Sequence, residues 1–259
     1  MTEDSVFSSS SREHFERYGY ARLGCILKPD ELDTLKLRIN EIMLGEVKYN
    51  DMLFQLDSED GEYGHAPAAS MGHKGATLAY RKIMGLEVDP VFLKYMQHPL
   101  FRAITEYYIG DEVSIYRAMF MNKPAERGTE LPWHQDVGWG WGVDTDPIIT
   151  VWTALDTATI ANGCMQIIPG SHKHGTINKQ HWLPEEKNAD YVDPNRVKYL
   201  EAKAGEVILL HNLLLHRSGT NSSAMPRRAF SIAFMEGTTR MRDTGALFPL
   251  IFGESALKA

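Results

Sequence analysis

The stretch Leu-Pro-Trp-His-Gln-Asp, residues 131–136, decides how this chain is interpreted, together with the distant stretch His-Arg-Ser-Gly-Thr-Asn, residues 216–221. Alternate side chains of a β-strand point to the same face, so His134 and Asp136 can bind the same metal ion if this stretch is extended. Two imidazoles and one carboxylate form a facial triad, which binds Fe(II) on one side and leaves the opposite positions open. His216, which follows an apolar run, is the candidate for the third ligand. The pattern predicts a metal site made of His134, Asp136 and His216.

The chain as a whole has the composition of an ordinary globular protein. It has 259 residues, of which 43% are hydrophobic, and its formal charge is −7. An acidic balance argues against a nucleic-acid partner, which needs a basic face. The polar N-terminal residues 1–13 contain no signal core, and no run of 18 apolar residues predicts a membrane span. With only Cys25 and Cys164, the chain has no disulfide framework, so we expect a cytoplasmic location.

The organisation along the chain changes near residue 111. Residues 1–110 are predicted to be mostly helical support, with a short strand at Tyr20–Leu23 and two helices separated near Pro99. The polar, glycine-rich segment at 45–80 is predicted to be either disordered or a lid over a functional site. Residues 111–240 contain short β-branched and aromatic runs separated by turn signals. The predicted strands are Ser114–Met121, Ile148–Leu155, Met165–Ile168, Glu206–Leu210 and Arg228–Met235. This order predicts a mainly β, cupin-like jelly roll, backed by a helical layer from the N-terminal third, with 1–259 forming a single domain.

Several segments together resemble one family. They occur in the family's order and at similar spacing, and they are Met121–Pro124, His134–Asp136, Val151–Leu155, Asn162–Met165, Ile168–His172 and His216–Asn221. In these segments, and more weakly over residues 14–236, the chain resembles the phytanoyl-CoA dioxygenase family. The resemblance implies a double-stranded β-helix with Fe(II), 2-oxoglutarate and O2 as cofactor and co-substrates. The family's metal ligands fall on His134, Asp136 and His216.

The resemblance also implies a 2-oxoglutarate site. The family's arginine, eleven residues after the distal histidine, falls on Arg227. The other implied contacts are Ser218, Trp152, Met119 and, with weaker local similarity, Lys82.

The residues themselves favour Arg227 over its neighbour Arg228. 2-Oxoglutarate is a dianion whose far carboxylate needs a cation, and the planar fork of arginine binds carboxylate through two parallel hydrogen bonds. Only one of two adjacent strand residues faces the barrel interior. The face shared with Arg227 carries small residues that leave room for a ligand, whereas the face shared with Arg228 carries Phe230, Ile232 and Phe234, which suit packing.

Other histidines compete with His216 as the third ligand. His211 ends a predicted strand, and His172 and His174 follow a Pro-Gly turn, where local hydrogen bonding is the simpler interpretation. The Arg-Ser-Gly-Thr-Asn sequence that belongs to the family pattern follows His216 instead.

The substrate is the least determined part of the prediction. Residues 137–147 and the lid depart from the acyl-CoA enzymes of the family. Trp139 and Trp141 alternate with glycines next to the metal motif, which predicts either packing or substrate contacts. Acids occur in the lid and after these tryptophans, at Asp57, Glu59, Asp60, Glu62, Asp144 and Asp146. Unless they form only a solvated surface, these acids favour a neutral or cationic substrate by complementary potential.

The function expected from these observations is that of an Fe(II)/2-oxoglutarate-dependent dioxygenase. It would hydroxylate or oxidatively cyclise a small polar metabolite or natural product and release succinate and CO2. Desaturation and epimerisation are open outcomes, and so is an acyl-CoA substrate. Other classes are a non-catalytic jelly-roll binding module, since a fold does not fix a function, and a zinc hydrolase, for which no general-base motif is evident.

Overall fold

The computed structural model describes residues 6–116 and 118–258, so residues 1–5, Arg117 and Ala259 lie outside the description. The longer helices lie in the first 110 residues. They are α1 (Ser9–Tyr18), α2 (Pro29–Leu44), α3 (Pro90–Met96) and α4 (Pro99–Tyr108), and the short α5 (Asn188–Tyr191) follows later.

Helix boundaries follow from capping residues. The hydroxyl of Ser8 accepts a hydrogen bond from Ser11 at the start of α1, and Gly19 ends the helix in the left-handed region at φ 80°. The carboxylate of Asp89 accepts from the first amides of α3. The break predicted near Pro99 separates α3 from α4, as expected for an imide that cannot donate within a helix.

Strands dominate the rest of the chain. Within the described residues they are β1 (Tyr20–Cys25), β2 (Leu53–Leu56), β3 (Ser70–Met71), β4 (Tyr80–Met84), β5 (Val113–Ile115), β6 (Met119–Lys123), β7 (Leu131–His134), β8 (Ile149–Ala154), β9 (Met165–Ile167), β10 (Lys198–Leu200), β11 (Glu206–His211), β12 (His216–Ser218), β13 (Arg227–Glu236) and β14 (Leu250–Phe252). The predicted strand Ser114–Met121 is divided between β5 and β6.

The strands form two antiparallel sheets. In the part of the chain that the structure describes, the larger sheet runs β1-β11-β8-β13-β6-β4-β2-β3, and the smaller runs β10-β9-β12-β7. β5 also pairs with β13 of the larger sheet, and β14 pairs with β5. A cluster that joins Trp152 and Ala229 of the larger sheet to Met165 and Leu200 of the smaller one lies between them. The two sheets therefore make a jelly roll with the helices on its outer face, which confirms the predicted fold class.

Alternate side chains of β13 point to opposite faces of the larger sheet, so this strand contributes both to the core under the helices and to a cavity on the other face. Phe230, Ile232 and Phe234 belong to the core under the helices. Arg227 and Ser231 line a cavity on the other face of the same strand. The orientation predicted for Arg227 is the one that the strand adopts.

The N-terminal third contains β1, which matches the short strand predicted at Tyr20–Leu23, and three strands that the sequence did not predict, β2, β3 and β4. β1 pairs with β11, and β4 pairs with β6, so both extend the larger sheet. The segment 45–80, expected to be a lid without regular structure, contains β2 and β3. β2 has four residues and β3 has two, and strands this short at a sheet edge depend on pairing with a neighbour for their stability, so local pattern alone did not reveal them. None of the helices in residues 6–116 and 118–258 combines the length and apolar character needed to cross a membrane.

Candidate metal and cofactor site

A cavity of about 370 Å³ opens between the two sheets. Most of the residues predicted from the sequence line it. They are His134, Asp136, His216, Lys82, Met119, Trp152, Ser218, Arg227 and Trp141. Trp139 is absent from the lining formed by the described residues.

His134 and His216 lie on neighbouring strands of the smaller sheet. They are register partners of β7 and β12, and their ring centroids are 4.0 Å apart. Asp136 lies two residues beyond His134, and its Oδ2 atom is 3.9 Å from Nε2 of His216. The antiparallel pairing thus supplies the distant third side chain that the local motif required.

Backbone carbonyls orient both rings in the same way. Nδ1 of His134 donates to the carbonyl oxygen of Pro132 at 2.7 Å, and Nδ1 of His216 donates to that of Leu214 at 2.9 Å. A carbonyl accepts only, so each Nδ1 carries the proton and each Nε2 presents a lone pair. Metal-bound histidines are commonly fixed by such a second contact. The donor set of two oriented imidazoles and a carboxylate fits Fe(II).

Burial keeps His134 in the form that binds a metal. Its side chain is buried, and burial lowers the pKa of His134 well below its usual value, with His216 and His181 nearby adding to the effect. A buried imidazolium without a counter-ion is unfavourable, so the ring is neutral at neutral pH. Neutral imidazole is the ligand form of histidine.

Gln135, between the two motif residues, points away from the cavity and joins three segments. Its side-chain amide donates to the carbonyl oxygens of Gly175 and Leu213, and its oxygen accepts from the amide of Ile177. Gln135 therefore fixes the loop at 175–183 and the turn before His216. The sequence analysis gave this residue no role.

His181 is the site residue that the sequence analysis missed. One ligand atom from each of His134, Asp136 and His181 lies within 4.8 Å of the others. Nδ1 of His181 is 3.9 Å from Oδ1 of Asp136. The residue adopts φ 82°, and its carbonyl accepts from the amide of Gln135. No His-X-Asp spacing or strand pattern surrounds it, so only the folded loop shows that it is near the site.

The two candidate third ligands differ in how they are held. Nδ1 of His216 is tied to a carbonyl, whereas Nδ1 of His181 is buried with no hydrogen-bond partner among the described residues. Burial lowers the pKa of His181, and Asp136 opposes that effect. The ring of His181 lies on a loop and faces the carboxylate of Asp136.

The other end of the cavity contains donors that have no partner. Nη2 of Arg227 donates to the carbonyl of Gly163 at 3.1 Å, but Nε of Arg227 and Nε1 of Trp152 have no partner among the residues described. Burial lowers the pKa of Arg227 to about 10, which keeps the guanidinium charged at neutral pH. A buried guanidinium with a free N–H group fits the carboxylate of 2-oxoglutarate.

Arg228 has a separate partner. Its Nε and Nη2 atoms donate to the two carboxylate oxygens of Asp156 at 2.7 and 2.8 Å, and Nη1 donates to Asn40 at 2.8 Å. This bidentate ion pair lies on the helix side of β13. Arg228 thus contributes to structure rather than to the cavity.

A sequence model of the phytanoyl-CoA dioxygenase family matches residues 15–229. The chain belongs to the phytanoyl-CoA dioxygenase family. A probable phytanoyl-CoA dioxygenase of Caenorhabditis elegans is 26% identical over 265 residues, which cover 92% of this chain and 81% of the relative.

Solved structures share the fold. EctD from S. alaskensis with 2-oxoglutarate and 5-hydroxyectoine has a TM-score of 0.71 at 20% identity, covering 100% of this chain and 84% of that one. The epimerase SnoN in complex with Fe3+, alpha ketoglutarate and nogalamycin RO has a TM-score of 0.65 at 18% identity, covering 92% and 86%. Membership of the phytanoyl-CoA dioxygenase family confirms the prediction of an iron- and 2-oxoglutarate-dependent dioxygenase.

The two tryptophans predicted to contact substrate in this family member occupy different places. Trp141 lines the cavity and stacks on Tyr116, with ring centroids 4.7 Å apart and an interplanar angle of 10°. Trp139 is 47% exposed, and its ring lies outside between the guanidinium of Arg242 at 3.5 Å and Nζ of Lys179 at 5.2 Å. In this conformation Trp141 is therefore placed to contact a substrate, whereas Trp139 lies outside the cavity lining formed by the described residues.

The competing histidines lie away from the cavity. His211 stacks on Phe15 under helix α1, and burial lowers its pKa to about 4. Nε2 of His172 donates to the carbonyl of Glu16, and His174 contacts Tyr191. The local bonding expected for His172 is what the structure contains.

The acids that suggested a cationic substrate do not line the cavity. Asp57 is buried and accepts from the amides of Gly128 and Thr129. Asp60 pairs with His65 at the surface, and Asp146 accepts from Gly138. These carboxylates fix loops, so the electrostatic basis for a cationic substrate is lost.

Proposed function

We propose that the metal ligands of this dioxygenase are His134, Asp136 and His216, and that Arg227 binds the far carboxylate of 2-oxoglutarate. The observation that carries this assignment is the matched orientation of His134 and His216, each with Nδ1 donating to a carbonyl two residues earlier. Family membership supports the chemistry, and the geometry supports the residues.

Each residue of the site has a separate task. The Nε2 lone pairs of the two histidines and the carboxylate of Asp136 hold Fe(II) on one side, which leaves the side facing the cavity open. Arg227 and the indole N–H of Trp152 orient 2-oxoglutarate by donating to it, and Ser218, Met119 and Lys82 complete that wall. When bound, iron with 2-oxoglutarate activates O2 and yields succinate and CO2.

The protein shields part of this region from solvent. Trp152 and His134 are buried, and Trp141 and Tyr116 form a stacked aromatic wall beside them. Shielding a reactive site from solvent prevents side reactions. We propose that a small polar metabolite or natural product is hydroxylated, or oxidatively cyclised, against this wall.

The names of the relatives favour a second candidate substrate. Proteins named phytanoyl-CoA dioxygenase match 88% to 92% of this chain in Rattus norvegicus and Caenorhabditis elegans. An acyl-CoA is therefore the alternative substrate to test.

The whole described chain is proposed to act as one catalytic unit. β1 and β4 of the N-terminal part are hydrogen-bonded into the larger sheet, whose inner face lines the cavity. A cytoplasmic location is proposed as well, on the ground that Cys25 and Cys164 are both free thiols. No nucleic-acid partner is proposed.

The test is succinate formation from 2-oxoglutarate in the presence of Fe(II) and O2. We expect slow turnover without substrate and faster turnover with the correct small molecule. The double variant His134→Ala/Asp136→Ala should abolish both while keeping the folded circular-dichroism spectrum. Absence of turnover by an iron-loaded, folded enzyme with every candidate substrate would reject the proposal in favour of a binding module.

A further inference from the structure

The charged side chains of the cavity are strongly unbalanced. In the described part of the chain, Asp136 is the only carboxylate that lines the cavity, whereas five cations do. The cations are Arg81, Lys82, Lys123, Arg217 and Arg227. The chain as a whole carries a formal charge of −7, so this basic interior is a local feature. Concentrated positive charge in a cleft favours an anionic ligand.

The proposed cofactors do not use all of this charge. Fe(II) with Asp136 has a net charge of about +1, and 2-oxoglutarate brings about −2, which Arg227 balances. Lys82 is assigned to the same wall as 2-oxoglutarate. Arg81, Lys123 and Arg217 then remain as cations without an assigned anion, and Nζ of Lys123 donates to the carbonyl of Thr129.

Among these cations, Arg81 is the one that we infer binds an anionic ligand, because it is buried and has no carboxylate partner among the described residues. It is only 9% exposed, and it takes part in none of the ion pairs within 4.0 Å that join described residues. Its Nη1 atom donates to the neutral amide oxygen of Gln55 at 2.8 Å. Arg217, by comparison, is held over Trp133 and donates to Gln166.

Burying a guanidinium without a counter-ion is costly, which is why buried arginines are normally paired with a carboxylate. Burial lowers the pKa of Arg81, and Tyr63, whose hydroxyl is its hydrogen-bond partner, and Asp57 only partly oppose that effect. Asp57 already accepts hydrogen bonds from Gly128 and Thr129. An anionic ligand would supply the counter-charge that the protein itself lacks near Arg81.

Ring contacts connect Arg81 to the metal site. Its guanidinium lies 5.1 Å from the ring of Tyr63, Tyr63 lies 4.6 Å from Trp182, and Trp182 lies 5.1 Å from His134. All four residues line the same cavity. A ligand anchored at Arg81 therefore extends along an aromatic wall toward the proposed iron.

The surroundings of the cavity are also basic. Lys179 and Arg242 flank the exposed ring of Trp139, next to the lining residues Gly140 and Gln180. Inside, burial and the guanidiniums of Arg227 and Arg81 lower the pKa of Lys123. Positive charge is therefore concentrated inside the cavity and is also present on the surface beside it.

We propose that the substrate is a small organic acid whose carboxylate binds Arg81. This inference rests on the proposed function and specifies its substrate class. The planar guanidinium binds a carboxylate through parallel hydrogen bonds. Its position is fixed by the hydrogen bond to Gln55 and by the cation–π contact with Tyr63. The carbon to be oxidised then lies along the wall formed by Trp182.

The test is a binding panel of matched pairs, measured by calorimetry without O2 on the enzyme loaded with Fe(II) and 2-oxoglutarate. The pairs are carboxylic acids with their carboxamides, phosphate monoesters with their alcohols, acyl-CoAs with their pantetheine thioesters, and amines with their acetamides. We expect binding among the carboxylic acids, with each carboxamide weaker by about 10- to 100-fold, the value of a charged hydrogen bond.

Variants locate the anchor. Arg81→Gln should lower the affinity for the acid by the same factor and leave the affinity for its carboxamide unchanged. Arg81→Lys should restore part of the affinity for the acid. The control Arg242→Gln, outside the cavity, should change affinity by less than about threefold because exposed charges contribute little. The affinity for 2-oxoglutarate should stay the same in every variant.

Several results would overturn the inference. They are a preference for amines, neutral molecules, phosphate esters or acyl-CoAs, failure of every acid to bind, an acid affinity insensitive to Arg81→Gln, or a loss of 2-oxoglutarate binding in that variant. Succinate formation is measured in parallel. If acids bind at Arg81 but 2-oxoglutarate is never consumed, the proposed reaction fails while the binding site stands.

Discussion

His134 and His216 face each other as register partners of adjacent antiparallel strands, with ring centroids 4.0 Å apart. Because β-strand pairing fixes both backbones, neither ring depends on a mobile loop for its position. His181, by contrast, is brought to the same carboxylate by the loop at 175–183. His216 and His181 therefore differ in how they are held beside Asp136, and we expect them to contribute differently to metal binding.

The first prediction separates these contributions. His134→Ala, Asp136→Ala and His216→Ala should each abolish stoichiometric binding of Fe(II), because facial ligands are jointly required. His181→Ala should still bind one Fe(II) per chain, with an affinity lower by about 10- to 100-fold, because loss of a group that contacts a metal ligand has an effect of this size. Metal content after anaerobic dialysis and calorimetric titration measure both effects. Retained binding in His216→Ala together with loss in His181→Ala would reassign the third ligand.

The second prediction concerns the adjacent arginines of β13. Arg227→Ala should raise the KM for 2-oxoglutarate by at least about a hundredfold, since an unpaired buried carboxylate costs roughly 3–5 kcal/mol. Arg228→Ala should leave that KM unchanged but lower the free energy of unfolding by about 3 kcal/mol, because Asp156 loses a bidentate partner. Steady-state kinetics and urea unfolding distinguish the two variants. Equal effects on KM would contradict the orientation of the strand.

The fold was largely predictable because period-two patterns mark strands wherever one face is buried. Residues 229–234 show this clearly, since small residues alternate there with large apolar ones. β2 and β3 were missed because their pairing, not their composition, makes them strands. In the site, His134, Asp136 and His216 were accessible through a motif, whereas His181 and Arg81 were not.

His181 and Arg81 reach the cavity through long-range contacts. The amide of Gln135 donates to the carbonyl of His181, and Arg81 is held by Gln55 and Tyr63. No local spacing encodes such contacts. For the same reason the lid acids were misjudged, since sequence gives their charge but not the direction in which Asp57 points.

The third prediction concerns two glycines near Arg227. Gly163 has φ 76°, and a Cβ atom there would lie 2.7 Å from the carbonyl oxygens of Gly219 and Thr220. Its own carbonyl accepts from Arg227. Gly163→Ala should therefore destabilise the fold by more than about 1 kcal/mol and raise the KM for 2-oxoglutarate as well.

Gly219→Ala is the matched control for Gly163→Ala. Its φ lies outside the left-handed range, and nothing lies within 4 Å of the added Cβ atom. We expect changes of less than about 0.5 kcal/mol in the free energy of unfolding and an unchanged KM. Thermal unfolding and kinetics on both variants check the pair. Similar behaviour of the two would show that the turn at Gly163 is not what orients Arg227.

The last prediction concerns movement of the segment 45–80. Its middle part is largely exposed, whereas Asp57 anchors one end to the amides of Gly128 and Thr129. Amides of residues 60–75 should exchange with deuterium at least about a hundredfold faster than those of Val207–Leu210, because local opening costs far less than global unfolding. Bound substrate should slow the exchange if this segment closes over the cavity.

The variant Asp57→Asn tests the anchor of this segment. The substitution keeps the size of the side chain but removes its negative charge. That charge is stabilised by hydrogen bonds from the amides of Gly128 and Thr129 and from the hydroxyl of Thr129. We expect faster exchange at residues 57–62 and an unchanged rate at Val207–Leu210, because the latter belong to the central sheet. Hydrogen exchange with mass spectrometry, performed with and without 2-oxoglutarate, resolves both segments. If residues 60–75 are as protected as Val207–Leu210 in the free enzyme, the segment is a fixed part of the barrel and not a lid.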